Sequence, residues 1–139
     1  MQTYRWGDLY LGLSHEFEAV FTEQMARSFA EISGDVNPLH VDPEYAIRAG
    51  YAGPVLFGML TSSLYSRLIG VYLPGRYALL QGIDLHFSAP CYAGDVLQVR
   101  GEVSFMSEAY RQLEVKSSIR GVGRKLISKA LIRVGFHGE

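Results

Sequence analysis

From residue 32 to residue 43 the chain reads Ile-Ser-Gly-Asp-Val-Asn-Pro-Leu-His-Val-Asp-Pro, and this stretch separates two helical patterns. Pro38 lacks an N–H group and disfavours helical geometry at the residue before it, so Asp35 and His40 cannot share one face of a continuous helix. Gly34 gives the backbone freedom to turn, which lets these two side chains meet. A carboxylate and an imidazole that share one water can move protons near neutral pH, because histidine titrates close to it.

The same stretch has a second interpretation that involves no chemistry. Gly34 would end one helix, Asn37-Pro38 would form a turn, and Asp42-Pro43 would begin the next helix. In that interpretation the acidic and imidazole side chains are ordinary loop residues, which are common. The spacing alone does not decide between the two interpretations.

Composition limits the class of protein. Hydrophobic residues make up 48% of the 139 residues and charged residues 19%, which is typical of one globular domain over residues 1–139. The net charge of −1 comes from interspersed charges and argues against nucleic acid as the main partner. The single cysteine, Cys91, excludes an intrachain disulfide and fits a reducing, cytoplasmic setting. Because no signal peptide pattern or membrane-length apolar run is visible, we expect no membrane partner.

The first half of the chain predicts one strand and two helices. Alternation over 15–21 predicts a strand, and Thr22 is a suitable N-cap for a helix that ends at Gly34. Asp42 is a suitable N-cap for a short helix that runs to about Arg48. Five apolar residues at helical spacing predict the buried face of the first helix: Met25, Ala26, Phe29, Ala30 and Ile32.

The segment from Val55 to Gly70 predicts the central helix of the fold. It is apolar on nearly every face until Arg67, so we expect a helix that is buried all round. Leu73-Pro74-Gly75 stops this helix. Cys91 has no cationic group nearby in the sequence, and we interpret it as a packing residue.

The second half of the chain changes to a period of two residues. Strands are predicted at 78–88, 96–105, 113–119 and 126–136. The alternation in the second of these puts one set of residues on the same face: Leu97, Val99, Gly101, Val103 and Phe105. Antiparallel strands that follow one buried helix predict an α+β fold in which the sheet wraps around the helix.

Four segments resemble the MaoC-like (R)-specific enoyl-CoA hydratases, also called hydratase 2. They are Phe-Ala-Glu-Ile-Ser-Gly-Asp-Val-Asn-Pro-Leu-His-Val-Asp-Pro at 29–43 with Ala46, Pro-Val-Leu-Phe-Gly-Met-Leu at 54–60, Ser63, and Phe-Ser-Ala-Pro-Cys-Tyr-Ala-Gly-Asp at 87–95. The resemblance implies a single MaoC-like domain with the hot-dog fold. In that fold an antiparallel sheet wraps around a long central helix, and a short helical overhang segment carries the catalytic motif.

The resemblance also implies an activity. The protein would be a hydro-lyase that adds water reversibly to trans-2-enoyl-CoA, or another enoyl thioester, to give an (R)-3-hydroxyacyl thioester. The resemblance assigns the acid–base pair to Asp35 and His40. It also assigns to Gly58 the backbone N–H that stabilises the oxyanion. The start of a buried helix suits the last role, because a free N–H and the positive end of the helix dipole both favour an anion.

Three further residues are assigned to substrate binding: Asn37, Ser63 and Phe57. Asn37 has the alternative role of fixing the loop through backbone hydrogen bonds. Ser63 has the alternative of donating to the carbonyl three or four residues back. Phe57 stands where many members of the family have histidine, so a hydrogen bond from that histidine is missing here.

No metal or cofactor is expected, since the CoA or acyl-carrier thioester is part of the substrate. The resemblance implies a homodimer or a higher oligomer, and a sheet of few strands around one helix leaves an edge for a second copy to cover. Two alternatives remain. One is a non-catalytic hot-dog module that binds acyl thioesters or acts as a partner subunit. The other is a thioesterase, although thioesterases of this fold carry a carboxylate on or near the helix, and 55–68 contains none.

Overall fold

The computed structural model describes residues 1–139 and contains one sheet and four α-helices. The helices are α1 (Glu23–Ser33), α2 (Pro38–Val41), α3 (Pro43–Arg48) and α4 (Gly58–Arg67). The strands are β1 (Ser14–Val20), β2 (Ala78–Phe87), β3 (Val96–Ser107), β4 (Gln112–Arg120) and β5 (Leu126–Phe136). They form a sheet of order β1-β3-β4-β5-β2 in which every neighbouring pair is antiparallel. The predicted α+β architecture is confirmed.

Local capping sets the ends of the first helices, as the sequence predicts. The Thr22 hydroxyl accepts a hydrogen bond from the Met25 N–H at 3.1 Å, and α1 ends at Gly34, whose φ of 74° is left-handed. The Asp42 carboxylate accepts from the Glu44 and Tyr45 N–H groups at the start of α3. These caps fix both ends of the 34–42 segment, which contains α2.

The predicted buried face of α1 is partly wrong. Ala26, Phe29 and Ala30 pack against the core, whereas Met25 and Ile32 are exposed, Ile32 by 82%. Successive residues turn by about 100° around a helix. Met25 and Ile32 therefore lie next to each other, to one side of the strip formed by Ala26, Phe29 and Ala30. The helix therefore rests on the core along a narrow line and is not embedded in it.

The central helix is also less buried than the sequence predicts. After α4 the chain continues as a π-helical turn over Leu68–Tyr72. Met59, Ser63 and Ser66 are exposed along one face of α4, because the single sheet covers the opposite side. The prediction of a helix buried all round is wrong for a single chain, and the uncovered face lies open to solvent. None of the helices combines the length and the apolar character that crossing a membrane requires.

The four predicted strands of the second half are confirmed, but one face assignment is wrong. In β3 the register passes from Val103 opposite Val115 to Phe105 opposite Glu114, so Ser104 is an extra residue in a β-bulge. Beyond a bulge the inward and outward sides exchange. Phe105 is consequently 49% exposed and does not share the buried face of Val103.

The core lies between the inner face of the sheet and the buried side of α4. The Tyr65 hydroxyl of α4 hydrogen-bonds the Ser128 hydroxyl of β5 at 2.8 Å inside this layer. Cys91 is a buried, unpaired thiol in the same cluster, which confirms its interpretation as a packing residue. Burial raises the pKa of the Cys91 thiol from 9.0 to about 11, and the Asp95 carboxylate adds to this.

This thiol makes stability depend on alkaline pH. Above pH 9.0 the unfolded chain releases the Cys91 proton, whereas the folded chain keeps it until about pH 11. The free energy of unfolding should therefore fall as pH rises through this interval. Burial also raises the pKa of Tyr65 from 10.0 to about 12, which extends the decline. Urea unfolding measured from about pH 8 to pH 10.5 tests this, and Cys91→Ala should show a shallower decline. Equal slopes in both proteins would contradict it.

Candidate active site

The turn before α2 holds His40 in one orientation. Asn37 Oδ1 accepts from the Leu39 N–H at 3.0 Å and caps α2, which begins at Pro38. His40 Nδ1 then lies 2.7 Å from the Val55 carbonyl oxygen. A carbonyl can only accept, so Nδ1 carries the proton and donates it. In the neutral imidazole the lone pair is therefore on Nε2, which is the arrangement that a general base requires.

An aromatic contact fixes the plane of the same imidazole. The Phe57 ring stacks on the His40 ring with centroids 4.3 Å apart and planes inclined by 29°. Phe57 is 2% exposed and also packs against Phe29 of α1 at 4.9 Å. Its side chain thus contacts the candidate base directly, and substrate contact by Phe57 stays a prediction.

Gly58 is the first residue of α4, and its N–H makes no hydrogen bond in the chain. Its carbonyl accepts from the Thr61 hydroxyl at 2.9 Å and the Ser62 hydroxyl at 2.6 Å. A Cβ at this position would lie 2.9 Å from the Phe87 ring, so glycine lets the strand and the helix start approach closely. A free N–H at the positive end of a helix is suited to bind developing negative charge.

His40 and Gly58 meet on one cavity. It has a volume of about 350 Å³ and lies between the 87–91 segment, the start of α4 and the loop before it. His40 also lines a second cavity of about 600 Å³ beneath α1, together with Ala26, Ala30 and Tyr92. The structure thus brings the candidate base and the candidate oxyanion donor to the wall of the same cavity.

Asp35 lies at the turn that precedes α2 and is exposed in the single chain. Its Oδ1 accepts from the Asn37 N–H at 3.0 Å, and its own N–H donates to the Ser33 hydroxyl at 3.1 Å. It lines neither cavity, and its second carboxylate oxygen has no donor from the chain. A water shared between Asp35 and His40 stays a prediction.

The remaining predicted substrate residues have structural partners. The cap on α2 confirms the alternative role of Asn37 in fixing the loop. The Ser63 hydroxyl donates to the Leu60 carbonyl at 2.6 Å, as its structural alternative predicts. Substrate contact by either residue stays a prediction. Sequence reasoning missed the Val55 carbonyl, because any residue can supply a backbone acceptor and no side-chain pattern marks it.

A sheet wrapped on one helix, with its candidate donor at the tip of that helix, places the chain among the hot-dog fold proteins. The chain belongs to the MaoC-like family, since the family model described as MaoC like domain matches residues 12–121. A solved (R)-hydratase from A. caviae involved in PHA biosynthesis has a TM-score of 0.88 and 30% identity, covering 92% of this chain and 97% of that one. The predicted fold and the predicted family are both confirmed.

Two curated relatives carry names of one reaction class. An (R)-specific enoyl-CoA hydratase of Rhodospirillum rubrum is 32% identical over 94% of this chain and 92% of its own length. A mitochondrial 3-hydroxyacyl-[acyl-carrier-protein] dehydratase of Arabidopsis thaliana is 37% identical over 73% of this chain. The alignment covers 60% of the Arabidopsis protein, so this chain spans about three fifths of that protein's length.

Proposed function

We propose that this protein is a hydro-lyase that adds water reversibly to trans-2-enoyl-CoA, or another enoyl thioester, and forms an (R)-3-hydroxyacyl thioester. The observation that carries the proposal is the pairing of His40 and the free Gly58 N–H on one cavity wall. The names of the relatives from Rhodospirillum rubrum and Arabidopsis thaliana support the same reaction class.

The acid–base step falls to His40 and Asp35. Hydration requires a water to lose a proton as it attacks C3, and C2 to gain one. The Nε2 lone pair of His40 is free for a proton because Nδ1 is held by the Val55 carbonyl. The Asp35 carboxylate, with one oxygen free of chain donors, shares the water. The coupled pair takes one proton from the water as its oxygen bonds to C3 and returns one proton to C2, so the net change is the addition of one water.

The Gly58 N–H stabilises the negative charge of the transition state. Negative charge builds on the thioester oxygen as the water adds, and the free N–H at the start of α4 donates to it. The helix dipole adds to this because its positive end lies at the same point. No step needs a metal or redox group, and the CoA or acyl-carrier arm enters as part of the substrate. We also propose a reducing compartment such as the cytoplasm, which the unpaired Cys91 thiol supports.

An absorbance assay tests the reaction. Addition of the protein to trans-2-enoyl-CoA of short, medium and long chain should remove the absorbance of the conjugated thioester, and chiral analysis should give the (R)-product. Release of free thiol, followed with a thiol reagent, would instead identify a thioesterase. Tight binding without turnover of any chain length would identify a non-catalytic module, and either result would overturn the proposal.

We further propose that the active form is a homodimer built on β2. Ile83 lies opposite the buried Ile132, so it faces the same side as the core, and yet it is 43% exposed. Leu80 and Phe87 of the same edge strand are about half exposed in the same way. A second copy would cover this strip and satisfy the unpaired strand edge. Because Phe87 and Gly58 line the same cavity, the second copy would lie beside the candidate site.

The proposed dimer predicts different effects for substitutions at two exposed residues of β2. Ile83→Lys should give a monomer and lose activity, because a charge would be buried in the apolar strip. Leu79→Lys should stay dimeric, since Leu79 lies opposite Gly135 on the other face of β2. Sedimentation velocity measures the mass of each variant. A wild-type mass equal to one chain, or dimers of Ile83→Lys, would contradict the proposal.

A further inference from the structure

We infer that Phe57 is a positioning residue, whose buried ring holds the His40 imidazole and whose backbone places the Gly58 N–H at a fixed offset from it. The inference rests on the proposed function and deepens it. It assigns Phe57 a role separate from the predicted substrate contact, because the ring is 2% exposed and stacks on His40.

The side chain supplies a restraint that the hydrogen bond cannot. The bond between His40 Nδ1 and the Val55 carbonyl fixes one atom of the ring but leaves the ring free to tilt about that point. A stacked ring at 4.3 Å and 29° restricts that tilt. Phe57 is itself immobilised because Phe29 packs against it at 4.9 Å. The direction of the Nε2 lone pair is therefore set by two contacts acting together.

The backbone of Phe57 sets the position of the oxyanion donor, the Gly58 N–H. Phe57 is the N-cap of α4, with extended φ and ψ of −60° and 131°. Its carbonyl accepts the first helical hydrogen bond, from the Thr61 N–H at 3.0 Å. Gly58 follows directly, so its N–H direction depends on how Phe57 is anchored. One buried residue thus connects the base with the oxyanion donor, and a shift of its ring should disturb both.

A leucine at this position is the informative substitution. Leucine is buried as readily as phenylalanine, but it has no flat face to stack on the imidazole. Small misplacements of a catalytic group cost up to about 10²-fold in rate. Phe57→Leu should therefore lower kcat for hydration by about 10-fold to 100-fold. KM should stay within about threefold, because a ring that is 2% exposed offers little surface to a substrate.

Phe136→Leu is the matched control. Phe136 is 6% exposed and, like Phe57, packs against two aromatic rings, those of Trp6 and Tyr77 at 5.6 Å each. It lines neither cavity. Its replacement should lower stability to a similar degree but leave kcat within about threefold. Equal losses of kcat in the two variants would show that Phe57 serves stability alone and would overturn the inference.

A second measurement does not depend on activity. Imidazole ¹⁵N NMR at about pH 8, where an ordinary imidazole is neutral, should show the wild-type His40 as one tautomer with its proton on Nδ1. In Phe57→Leu a tilted ring should bend Nδ1–H away from the Val55 carbonyl and weaken that bond, so both nitrogens should shift toward values averaged over two tautomers. Phe136→Leu should leave them unchanged. An unchanged His40 spectrum in Phe57→Leu would overturn the inference. A protein without hydratase activity would defeat the proposed function, and the spectra would still decide the role of Phe57.

A milder variant covers the case in which Phe57→Leu does not fold. Phe29 is only half-buried, and Phe29→Leu removes the outer contact of Phe57 while leaving the stack on His40 in place. This variant should lower kcat by about threefold to tenfold and broaden the His40 signals. Wild-type kcat and spectra in Phe29→Leu, with Phe57→Leu unfolded, would overturn the inference.

Discussion

Asp35→Asn and His40→Asn should each lower kcat for hydration by about 10²-fold to 10⁴-fold, the usual contribution of general acid–base catalysis. Both substitutions spare the local structure. An asparagine at 35 still accepts from the Asn37 N–H, as Asp35 Oδ1 does at 3.0 Å. An asparagine at 40 can present an amide N–H to the Val55 carbonyl, as His40 Nδ1 does at 2.7 Å. The loss should therefore report on proton transfer and not on folding.

The control is Asp42→Asn, which makes the same change of charge two residues beyond His40. Asp42 caps α3, and asparagine is an equally good N-cap. Its kcat should stay within about twofold of wild type. The Asp35→Asn/His40→Asn double variant should be little worse than either single variant, because the two groups act on one water as a unit. Full activity in either single variant would contradict the assignment.

Gly58→Pro should lower kcat by about 10²-fold to 10³-fold, the usual cost of losing one oxyanion donor. The substitution removes the N–H without breaking the helix. Gly58 is the first residue of α4, where proline is favoured, and Phe57 before it already has a ψ of 131° that proline accepts. Circular dichroism should therefore show wild-type helix content. The rate of enoyl-CoA hydration is the measurement.

Gly58→Ala separates the donor from the shape of the site. It keeps the N–H but brings a Cβ to 2.9 Å from the Phe87 ring, which Gly58→Pro does as well. The clash involves the far end of the Phe87 ring, which can turn aside by rotation about its side-chain bonds. Gly58→Ala should lower kcat by about tenfold or less. The ratio of kcat between Gly58→Ala and Gly58→Pro therefore measures the contribution of the N–H itself. Equal losses would assign the effect to the clash with Phe87 and exclude the oxyanion role.

Much of the candidate site is visible in the sequence because it depends on short-range rules. Thr22 and Asp42 are predicted caps, and Gly34 is a predicted helix end, because each acts within four residues of itself. Asp35 and His40 stand out in a local turn pattern that alone leaves a plain loop equally open, and the role of Gly58 is implied only by the resemblance to the MaoC-like hydratases. The strands follow from alternation, which marks a half-buried sheet whatever packs on it.

Interactions between distant parts of the chain could not be predicted in this way. The face of Phe105 depends on a bulge that only the pairing of β3 with β4 reveals. The stack of His40 on Phe57 joins two segments that sequence reasoning treated separately. The burial of α4 depends on which of its sides the single sheet covers.

The sequence by itself determined the strands, the helices α1 and α3 with their caps, and the middle of α4, because backbone preferences and hydrophobic periodicity act over a few residues. The candidate catalytic residues came from one turn pattern together with the family resemblance. Only the tertiary structure decided that the His40 proton lies on Nδ1, since the Val55 carbonyl that accepts it is fifteen positions away. It also decided that His40 and Gly58 share a cavity wall. The orientation, tautomer and burial of a side chain depend on neighbours that are distant in sequence and come close only in the folded chain. A local sequence pattern therefore does not predict them.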